Sequence, residues 1–439
     1  MDPFFTLNNA HLDNSSSYEN LDPHLRKLKT QPYVFESSLL HLFPFQIPGV
    51  YTLGGARQIG KTTFLKQWIS SLLKKGVPAT SIVFLTGELI DDHYRLLHII
   101  KEAFEMMSPK DSFKTIILDE VTYIKEWDKA IKFLADSGLI ENCMMVLTGS
   151  DLALMKEARM RFPGRRGKHS QVDFHYYPLS FQEYVTLVHG KEENWNISRL
   201  YEAFQSYLVH GGFLTAINDI AIHNKVQPST FQTYSDWIRG DFLKRGKKEK
   251  YLKDFLLAVL KTYGTQITWN SLAHHTEIDH HQTLQEYADI MQSMEALFIQ
   301  EALVEHKCMA APKKAKRLFF SDPFIYHAIN LWLDPRYSLE KTLTHTETLS
   351  SLVETTVINH AKRLYPTYYI KAEGEVDLAY VKGSTFIPIE IKWGKQLRPK
   401  DLKQIKKYPQ GQIWAHVQDT YHLEGLPVIP LPKALYEFS

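Results

Sequence analysis

The fold of the first part of the chain is decided by residues 50–76, which read VYTLGGARQIGKTTFLKQWISSLLKKG. Within them, Gly55 to Thr62 match the pattern G-x-x-x-x-G-K-[ST] without departure. The apolar run before the pattern predicts a short β-strand, and apolar residues at helical spacing after it predict a helix. A strand, a glycine-rich turn and a helix in this order predict a phosphate-binding loop. A chance glycine-rich turn is the alternative.

The residue types explain how this loop would hold phosphates. Gly55 and Gly60 let the backbone turn its N–H groups toward phosphate oxygens at a helix N-terminus, whose dipole favours anions. Lys61 is expected to reach the β- and γ-phosphates, and the Thr62 hydroxyl to ligate Mg²⁺. The predicted nucleotide-binding residues belong to the loop, the start of the helix and one later serine: Gly55, Ala56, Arg57, Gln58, Ile59, Gly60, Lys61, Thr62, Thr63 and Ser150.

Residues 114–127, KTIILDEVTYIKEW, predict the catalytic partner of the loop. A short apolar strand ends there in Asp119 and Glu120. A carboxylate at the C-terminal end of a parallel strand lies beside the phosphate-binding crevice. We therefore predict that Asp119 holds the Mg²⁺ shell and that Glu120 polarises the attacking water. A strand that merely runs into a solvated turn is the alternative.

Two further segments extend this predicted site. Residues 143–151, CMMVLTGSD, predict a third strand, after which Thr148 or Ser150 is a candidate to contact the γ-phosphate or the water. Residues 161–169, RFPGRRGKH, form a basic loop. Arg165 or Arg166 is a candidate arginine finger, acting in cis or from a neighbouring subunit. A solvated basic loop is the alternative.

Composition limits the partners of the chain. The 439 residues include 51 Lys and Arg against 49 Asp and Glu, a formal net charge of +2. Nucleic-acid binding would therefore depend on local basic patches. The two cysteines, Cys143 and Cys308, are far apart and predict neither a disulfide framework nor a cysteine metal site. The N-terminus lacks the features of a signal peptide, and no apolar run is long enough to span a membrane, so we expect a cytoplasmic protein.

The middle of the chain predicts helices and then a candidate DNA-binding domain. Residues 256–303 show the order helix, short strand, helix, turn, helix, which is typical of a winged helix-turn-helix. The recognition helix would begin near Asp279 and present three polar residues: His281, Gln282 and Gln285. The predicted wing, 306–322, concentrates basic residues at its tip, which would meet phosphates without reading bases: Lys313, Lys314, Lys316 and Arg317. Protein–protein contact is the alternative.

Residues 374–394, GEVDLAYVKGSTFIPIEIKWG, predict a β-hairpin that turns at Gly383 and Ser384. This register places Asp377 opposite Glu390, and Lys392 on the same face as Glu390. Two opposed carboxylates destabilise a sheet unless something binds between them, so the pair predicts a divalent cation that bridges to a phosphodiester. Lys392 would orient or help deprotonate the attacking water, or neutralise charge on the transition state. A surface hairpin with a solvated ion pair, or a domain that binds DNA without cutting it, is the alternative.

Several motifs resemble, in order, those of prokaryotic AAA-type ATPases: GGARQIGKTT, IILDEV, LTGS, PGRRG, YPLSFQEY and VHGGF. The resemblance implies an ASCE-type P-loop core that uses ATP, followed by a domain of uncharacterised function with a restriction-endonuclease-like fold. The D…ExK arrangement resembles the PD-(D/E)xK nucleases, whose core is helix, three strands, helix and strand. Glu354 matches the acidic residue on their first helix and is the third predicted metal ligand. Residues 398–408 match the next helix of that core, and residues 411–417 match the next strand. Val376 replaces the leading proline.

The sequence therefore predicts an α/β protein of several domains. We expect an N-terminal extension (1–30), a P-loop core (31–178), a helical lid (179–247), a winged helix (248–335) and a nuclease-like domain (340–439). The predicted function is ATP hydrolysis coupled to work on DNA, with metal-dependent cleavage by Asp377, Glu390 and Lys392 as a further expectation. A homo-oligomer is a further possibility. A signalling or scaffold ATPase, whose C-terminal half binds protein or nucleic acid and cuts nothing, is the alternative.

Overall fold

The computed structural model describes residues 8–438 except 13, 108–111, 152–154, 157–159, 161, 163–165, 168, 193, 279 and 395–401. The chain divides into two compact units, Met1–Tyr177 and Pro178–Ser439. The predicted end of the P-loop core at residue 178 coincides with this boundary. The finer predicted divisions stay predictions.

The first unit is built on a parallel sheet of five strands in the order β2-β3-β4-β1-β5. The strands are β1 Gly49–Gly54, β2 Ile82–Thr86, β3 Lys114–Asp119, β4 Cys143–Gly149 and β5 Asp173–His175. The helices are α1 Tyr18–Leu21, α2 Pro23–Leu28, α3 Leu39–Leu42, α4 Lys61–Lys74, α5 His93–Met106 and α6 Trp127–Asp136. The strand, loop and helix predicted from residues 50–76 are confirmed.

Helices cover both faces of this sheet, so the central strands are buried throughout and their sequences are almost continuously apolar. On one face, α5 and α6 pack on alternate strand residues such as Val83, Ile116 and Met145. On the other face, α1, α2 and α4 pack on the intervening residues, such as Phe84 and Ile117. The side-chain period of two along each strand thus separates two cores.

The N-terminal residues belong to the first unit. Asn9 donates to and accepts from the backbone of Phe84 on β2, at 2.8 and 2.6 Å. The buried carboxylate of Asp22 lies 3.3 Å from the ammonium of Lys66, which is itself buried on α4. The segment predicted as an extension is therefore packed against the sheet and against the helix that follows the P-loop.

The second unit begins with helices and ends with a mixed sheet. The helices are α7 Phe181–His189, α8 Ile197–His210, α9 Leu214–His223, α10 Pro228–Lys244, α11 Glu249–Lys261, α12 Trp269–Ala273, α13 His281–Ser293, α14 Pro323–Leu333, α15 Leu339–Thr344, α16 Thr346–Leu364 and α17 Leu431–Glu437. The strands are β6 Leu297–Val304, β7 Met309–Ala310, β8 Lys316–Phe320, β9 Thr367–Lys371, β10 Glu375–Lys382, β11 Thr385–Lys392, β12 Gln412–Ala415, β13 Tyr421–Leu423 and β14 Leu426–Pro430. None of the helices in the described residues is long and apolar enough to cross a membrane.

The nine strands form one sheet in the order β13-β14-β12-β11-β10-β9-β6-β7, with β8 paired to β6. The predicted wing, 306–322, contains β8, which pairs with β6, and β6 pairs in parallel with β9, Glu301 opposite Tyr368. The two domains predicted as separate therefore share a sheet.

The predicted position of Arg317 at the wing tip is wrong. Arg317 lies in β8, opposite Gln300 of β6, and is 6% exposed. Lys313 and Lys314 precede β8 and are exposed, whereas Lys316 is partly buried and lies 3.4 Å from Glu301. Only part of the predicted basic tip therefore faces solvent.

The predicted register of the C-terminal hairpin is confirmed. Leu378 pairs with Ile389 across β10 and β11, and Gly383 occupies the turn with a φ of +64°. The register of β10 against β9 shifts between Val376 and Ala379, which places Asp377 in an irregular step of the strand. Such bulges re-aim side chains.

The segment that follows the hairpin was predicted as a helix and a strand. The strand is present as β12, parallel to β11. Of the predicted helix 398–408, residues 398–401 lie outside the described residues. In the remainder, Ile405–Lys407 form a 3₁₀ turn, and no α-helix is present among its described residues.

Candidate functional site

The phosphate-binding loop connects β1 to α4 through residues 55–60. Gly55 and Gly60 have φ values of +153° and +103°, which L side chains rarely adopt. A Cβ on Gly55 would also lie 2.4 Å from the carbonyl oxygen of Tyr176. The first glycine is thus required by both conformation and space, and the loop has the predicted form.

Lys61, the first residue of α4, is buried within this loop. Its ammonium donates to the carbonyl oxygens of Gly55 and Ala56, both at 2.8 Å, and lies 3.7 Å from a carboxylate oxygen of Glu120. The positive charge is therefore held at the centre of the loop, where a phosphate would be bound.

The two residues predicted to hold Mg²⁺ are in direct contact. The Thr62 hydroxyl donates to Asp119 Oδ2 at 2.6 Å. The Thr148 hydroxyl donates to the other oxygen, Oδ1, and accepts from the backbone N–H of Glu120 at 2.9 Å. A hydroxyl and a carboxylate are the oxygen donors that Mg²⁺ prefers, so this pair fits the ion. Thr148, a candidate phosphate contact, is instead buried behind Asp119 and orients it.

Glu120 follows β3 in the left-handed region, with a φ of +51°. This conformation is uncommon for a residue with a side chain and recurs at functional sites. Its Oε2 accepts from the Ser150 hydroxyl at 3.2 Å, and Ser150 in turn accepts from Arg57 Nε at 3.2 Å. Arg57 also donates to the Tyr123 hydroxyl at 2.5 Å. Ser150 is thus brought to the site and is linked to Glu120.

The candidate arginine fingers have different outcomes. Arg166 donates to Asp173 of β5, with one contact of 2.7 Å, and to the carbonyl of Val172 at 3.2 Å. These contacts fix the edge of the sheet at β5. Arg165 lies outside the described residues. The finger therefore stays a prediction for both.

A second group of charges lies in the second unit. It contains four carboxylates and two cations from four elements: Arg317 of β8, Glu354 of α16, Glu375 and Asp377 of β10, and Glu390 and Lys392 of β11. We call these six residues the acidic cluster. Arg317 and Glu390 are buried, and the other four are partly buried. The predicted residues Glu354, Asp377, Glu390 and Lys392 are thus brought together.

Each charge of the acidic cluster has a partner from the chain. Arg317 donates to Glu354 and, at 2.5 Å, to Glu375. Lys392 lies 2.6 Å from Glu390 and 3.9 Å from Asp377. Asp377 Oδ2 also accepts from the backbone N–H of Ile391 at 2.9 Å. Ion pairs from within the chain therefore offset the carboxylate repulsion that predicted a metal.

Two buried atoms of the acidic cluster lack a hydrogen-bond partner, Glu390 Oε2 and Arg317 Nε. Burial and the nearby charge of Asp377 raise the pKa of Glu354 and of Glu390 to about 8. Burial opposes the charged form of Lys392, but Asp377 and Glu390 raise its pKa overall. In the part of the chain that the structure describes, no three His, Cys, Asp or Glu side chains are arranged to hold a metal ion.

Sequence reasoning missed two members of the acidic cluster. Glu375 lies next to the hairpin motif and accepts from Arg317 and from Gln266, both at 2.5 Å. Arg317 was predicted as a wing residue. The available signal was its place in KRLFF, 316–320, where an arginine enters an otherwise apolar strand. A charged residue in such a run needs a buried partner.

Comparison with protein families matches two segments of the chain. Residues 48–185 match the AAA domain family. Residues 349–433 match DUF4143, a domain of unknown function. The first match contains the whole P-loop site, and the second contains Glu354, Glu375, Asp377, Glu390 and Lys392 but not Arg317.

The curated relatives have no assigned function. An uncharacterized protein of Haemophilus influenzae is 25% identical over 174 residues, which are 38% of this chain and 40% of the relative. An uncharacterized protein of Methanocaldococcus jannaschii is 30% identical over 152 residues, 34% of this chain and 29% of the relative. A second uncharacterized protein from that organism is 25% identical over 236 residues, which are 50% of this chain and 48% of the relative. The chain thus spans less than half the length of the curated relatives it matches.

Two solved structures show weak similarity. The Walker-type ATPase PABY2304 of Pyrococcus abyssi is 12% identical, with a TM-score of 0.42 and coverage of 64% of this chain and 91% of the other. The Aeropyrum pernix ORC1 protein, solved in complex with DNA, is 13% identical, with a TM-score of 0.35 and coverage of 73% and 91%. At these scores we draw no conclusion from either. Residues 48–185 are thus similar to the AAA domain family and carry a phosphate-binding loop, and residues 349–433 are similar to a domain of unknown function.

Proposed function

We propose that the first unit binds ATP and hydrolyses it. The observation that carries this proposal is the convergence of four residues, two from the start of α4 and two from the end of β3 and the residue after it. The ammonium of Lys61 lies 3.7 Å from Glu120, and the Thr62 hydroxyl lies 2.6 Å from Asp119. Phosphate charge, metal and water would meet at this point.

Each residue has a distinct task in this proposal. The backbone N–H groups of the loop and Lys61 bind the phosphates and offset the charge that develops on the transferred group. Thr62 and Asp119 hold Mg²⁺, which supplies charge neutralisation at the phosphate oxygens when it is bound. Glu120 orients the attacking water and accepts its proton. Ser150 and Thr148 fix the side chain and the backbone of Glu120.

The test compares two variants that separate binding from hydrolysis. Lys61→Ala removes the phosphate-directed charge, so it should abolish ATP turnover and weaken nucleotide binding. Glu120→Gln should retain ATP and hydrolyse it slowly, since the amide cannot accept a proton. Steady-state phosphate release and equilibrium nucleotide binding measure the two effects. Normal turnover in Lys61→Ala would exclude the P-loop as the site.

We further propose that the second unit directs this ATPase to DNA, in maintenance, repair or defence. His281, Gln282 and Gln285 are exposed on α13 and available to base edges. Lys313 and Lys314 are exposed at the hairpin tip, where they would meet phosphates. The alternative is a signalling or scaffold ATPase that uses the same surfaces for protein contact. Self-association, which an arginine finger in trans requires, is tested by light scattering with and without ATP.

The DNA proposal is tested by replacing Lys313 and Lys314 with alanine. Two lost phosphate contacts should weaken binding to all sequences and reduce the slope of log K against log salt by about 2. Lys101 and Lys132, exposed on helices of the first unit, provide the matched double variant. If both double variants lose the same DNA affinity, or if neither loses any, the hairpin tip has no role in DNA binding.

A second candidate activity is metal-dependent DNA cleavage by the second unit. One observation favours it: the buried oxygen Glu390 Oε2 has no hydrogen-bond partner, although Lys392 and Asp377 lie beside the same carboxylate. In this activity Asp377, Glu390 and Glu354 hold Mg²⁺, and Lys392 offsets charge on the phosphate. Nicking of supercoiled plasmid that requires Mg²⁺ or Mn²⁺ and is lost in Asp377→Ala would support it.

A further inference from the structure

Arg317 is buried in the acidic cluster and pairs with two of its carboxylates. It extends from β8, is 6% exposed, and pairs with Glu354 of α16 and Glu375 of β10. Its guanidinium also lies 5.5 Å from the centre of the Tyr369 ring. The side chain is thus held by a helix and by two strands of the same sheet.

The charge balance of the acidic cluster shows the effect of the Arg317 guanidinium. Four carboxylates and two cations leave the acidic cluster with two excess negative charges when every group is ionised. A fixed cation beside Glu354 repels a second cation and uses the carboxylate oxygens that would bind it. Arg317 therefore supplies the charge that a divalent ion would otherwise supply.

Two of the remaining carboxylates each keep one oxygen that neither a hydrogen bond nor Arg317 occupies. Glu390 Oε2 is buried without a partner, in a residue that is 4% exposed. Asp377 lies 3.9 Å from Lys392 and keeps Oδ1 for other contacts, because its backbone partner binds Oδ2. Buried carboxylate oxygens near one another are the ligands of Mg²⁺ and Mn²⁺.

We propose that Arg317 is a built-in cation that closes the acidic cluster to divalent metal, and that Glu354, Asp377 and Glu390 become a divalent-cation site once Arg317 is removed. The proposal rests on the second candidate activity and sets a condition on it: Mg²⁺ is bound for cleavage only when Arg317 leaves Glu354 and Glu375. It concerns metal binding, which is measured apart from cleavage.

The test measures Mn²⁺ binding to the full-length chain by titration calorimetry and by the loss of the free-ion electron paramagnetic resonance signal. All variants carry Lys61→Ala and are studied without nucleotide, so that the P-loop contributes no metal. Arg317→Met should bind one Mn²⁺ per chain at least about tenfold more tightly than the chain with Arg317. Arg317→Lys retains a cation and should bind as weakly as that chain.

Asp377→Asn added to Arg317→Met should remove the new binding, which would place the ion in the acidic cluster. Since a buried arginine is being replaced, Arg317→Met combined with Glu375→Gln provides a second variant that removes one charge of each sign. Should neither variant fold alone, the proposal requires that millimolar Mn²⁺ restore folding, as seen by circular dichroism.

Three results would overturn the proposal. Tight Mn²⁺ binding that Asp377→Asn removes in the chain with Arg317 would mean that Arg317 does not close the site. Folded Arg317→Met without Mn²⁺ binding would mean that the acidic cluster is no latent metal site, and unfolded variants without rescue would mean the same. An Arg317→Met chain that binds Mn²⁺ but leaves plasmid intact would remove the cleavage activity and leave the proposal standing.

Discussion

The buried ion pair between Asp22 and Lys66 provides a test of how the N-terminal segment supports the P-loop helix. Lys66 lies one turn after Thr62 on α4, donates to the carbonyl oxygen of Asn8 at 2.6 Å, and lies 3.8 Å from the centre of the Phe84 ring. Asp22 caps α2 by accepting from two backbone N–H groups through Oδ1. Its Oδ2 faces Lys66 at 3.3 Å.

Removing either partner should cost stability because the other charge stays buried. Both side chains are 1% exposed, and loss of one partner of such a pair costs about 3–5 kcal/mol. Asp22→Asn isolates this effect, since asparagine caps a helix as well as aspartate does. For a unit of this size, the loss corresponds to a fall in Tm of about 6–20 °C. Replacing both residues, Asp22→Asn with Lys66→Met, should recover much of it.

Thermal unfolding with and without ATP measures the effect, because a bound ligand identifies the transition of the unit that binds it. Lys74→Met is the matched control on the same helix. Lys74 pairs with Glu19 at 2.6 Å but is 71% exposed, so its loss should cost no more than about 1 kcal/mol. If Asp22→Asn and Lys74→Met lower Tm equally, or if the double variant is as unstable as the sum of its parts, the reasoning is wrong.

Three further predictions concern single residues. Thr148→Val should lower kcat for ATP at least about tenfold with little change in KM, because Asp119 loses a hydrogen bond of about 2 kcal/mol; unchanged kcat would contradict this. Burial, followed by the charge of Arg363, lowers the pKa of His360 to about 3. The neutral form of His360 therefore contributes stability above about pH 6.5, and this stability is lost as pH falls toward 3. His360→Gln should flatten the fall in Tm between pH 7 and pH 5. Parallel curves of Tm against pH for the two proteins would exclude this contribution of His360. Asp377→Asn should raise Tm at pH 8, because it removes the charge that opposes ionised Glu390 while an amide oxygen still accepts from Ile391; a lower Tm would mean that the pairing of Asp377 with Lys392 dominates.

The P-loop site was predictable because its chemistry is local in sequence. Gly55, Gly60, Lys61 and Thr62 lie within one turn and the start of one helix, so their spacing alone fixes their geometry. Glu120 was found by its place after an apolar strand. The role of Thr148 was not predictable, because the strand order decides which hydroxyl lies behind Asp119. The pairing of β4 with both β1 and β3 brings it there.

The packing of the N-terminal segment, predicted only as an extension, was not foreseen from the sequence. Its contribution depends on polar side chains that find distant partners. Asn9 exchanges hydrogen bonds with a strand 75 residues away, and Asp22 pairs with a lysine in α4. Such pairs have no periodicity and cannot be detected from the spacing of apolar residues.

The C-terminal hairpin shows that a correct register does not by itself determine how the charges on its strands are balanced. Asp377 and Glu390 were correctly expected to lie together, and their repulsion was expected to require a metal. The sheet supplies another solution, because the parallel pairing of β6 with β9 makes β8 a neighbour of the same carboxylates and brings Arg317 to Glu354 and Glu375. A guanidinium on a strand is always present, whereas an ion must be bound from solution. The same pairing makes the hairpin 297–320 part of the sheet that carries the carboxylates. On the proposal that Arg317 closes the acidic cluster, metal binding requires that Arg317 leave its partners, and the cost of breaking two partly buried ion pairs sets the affinity that a metal must exceed.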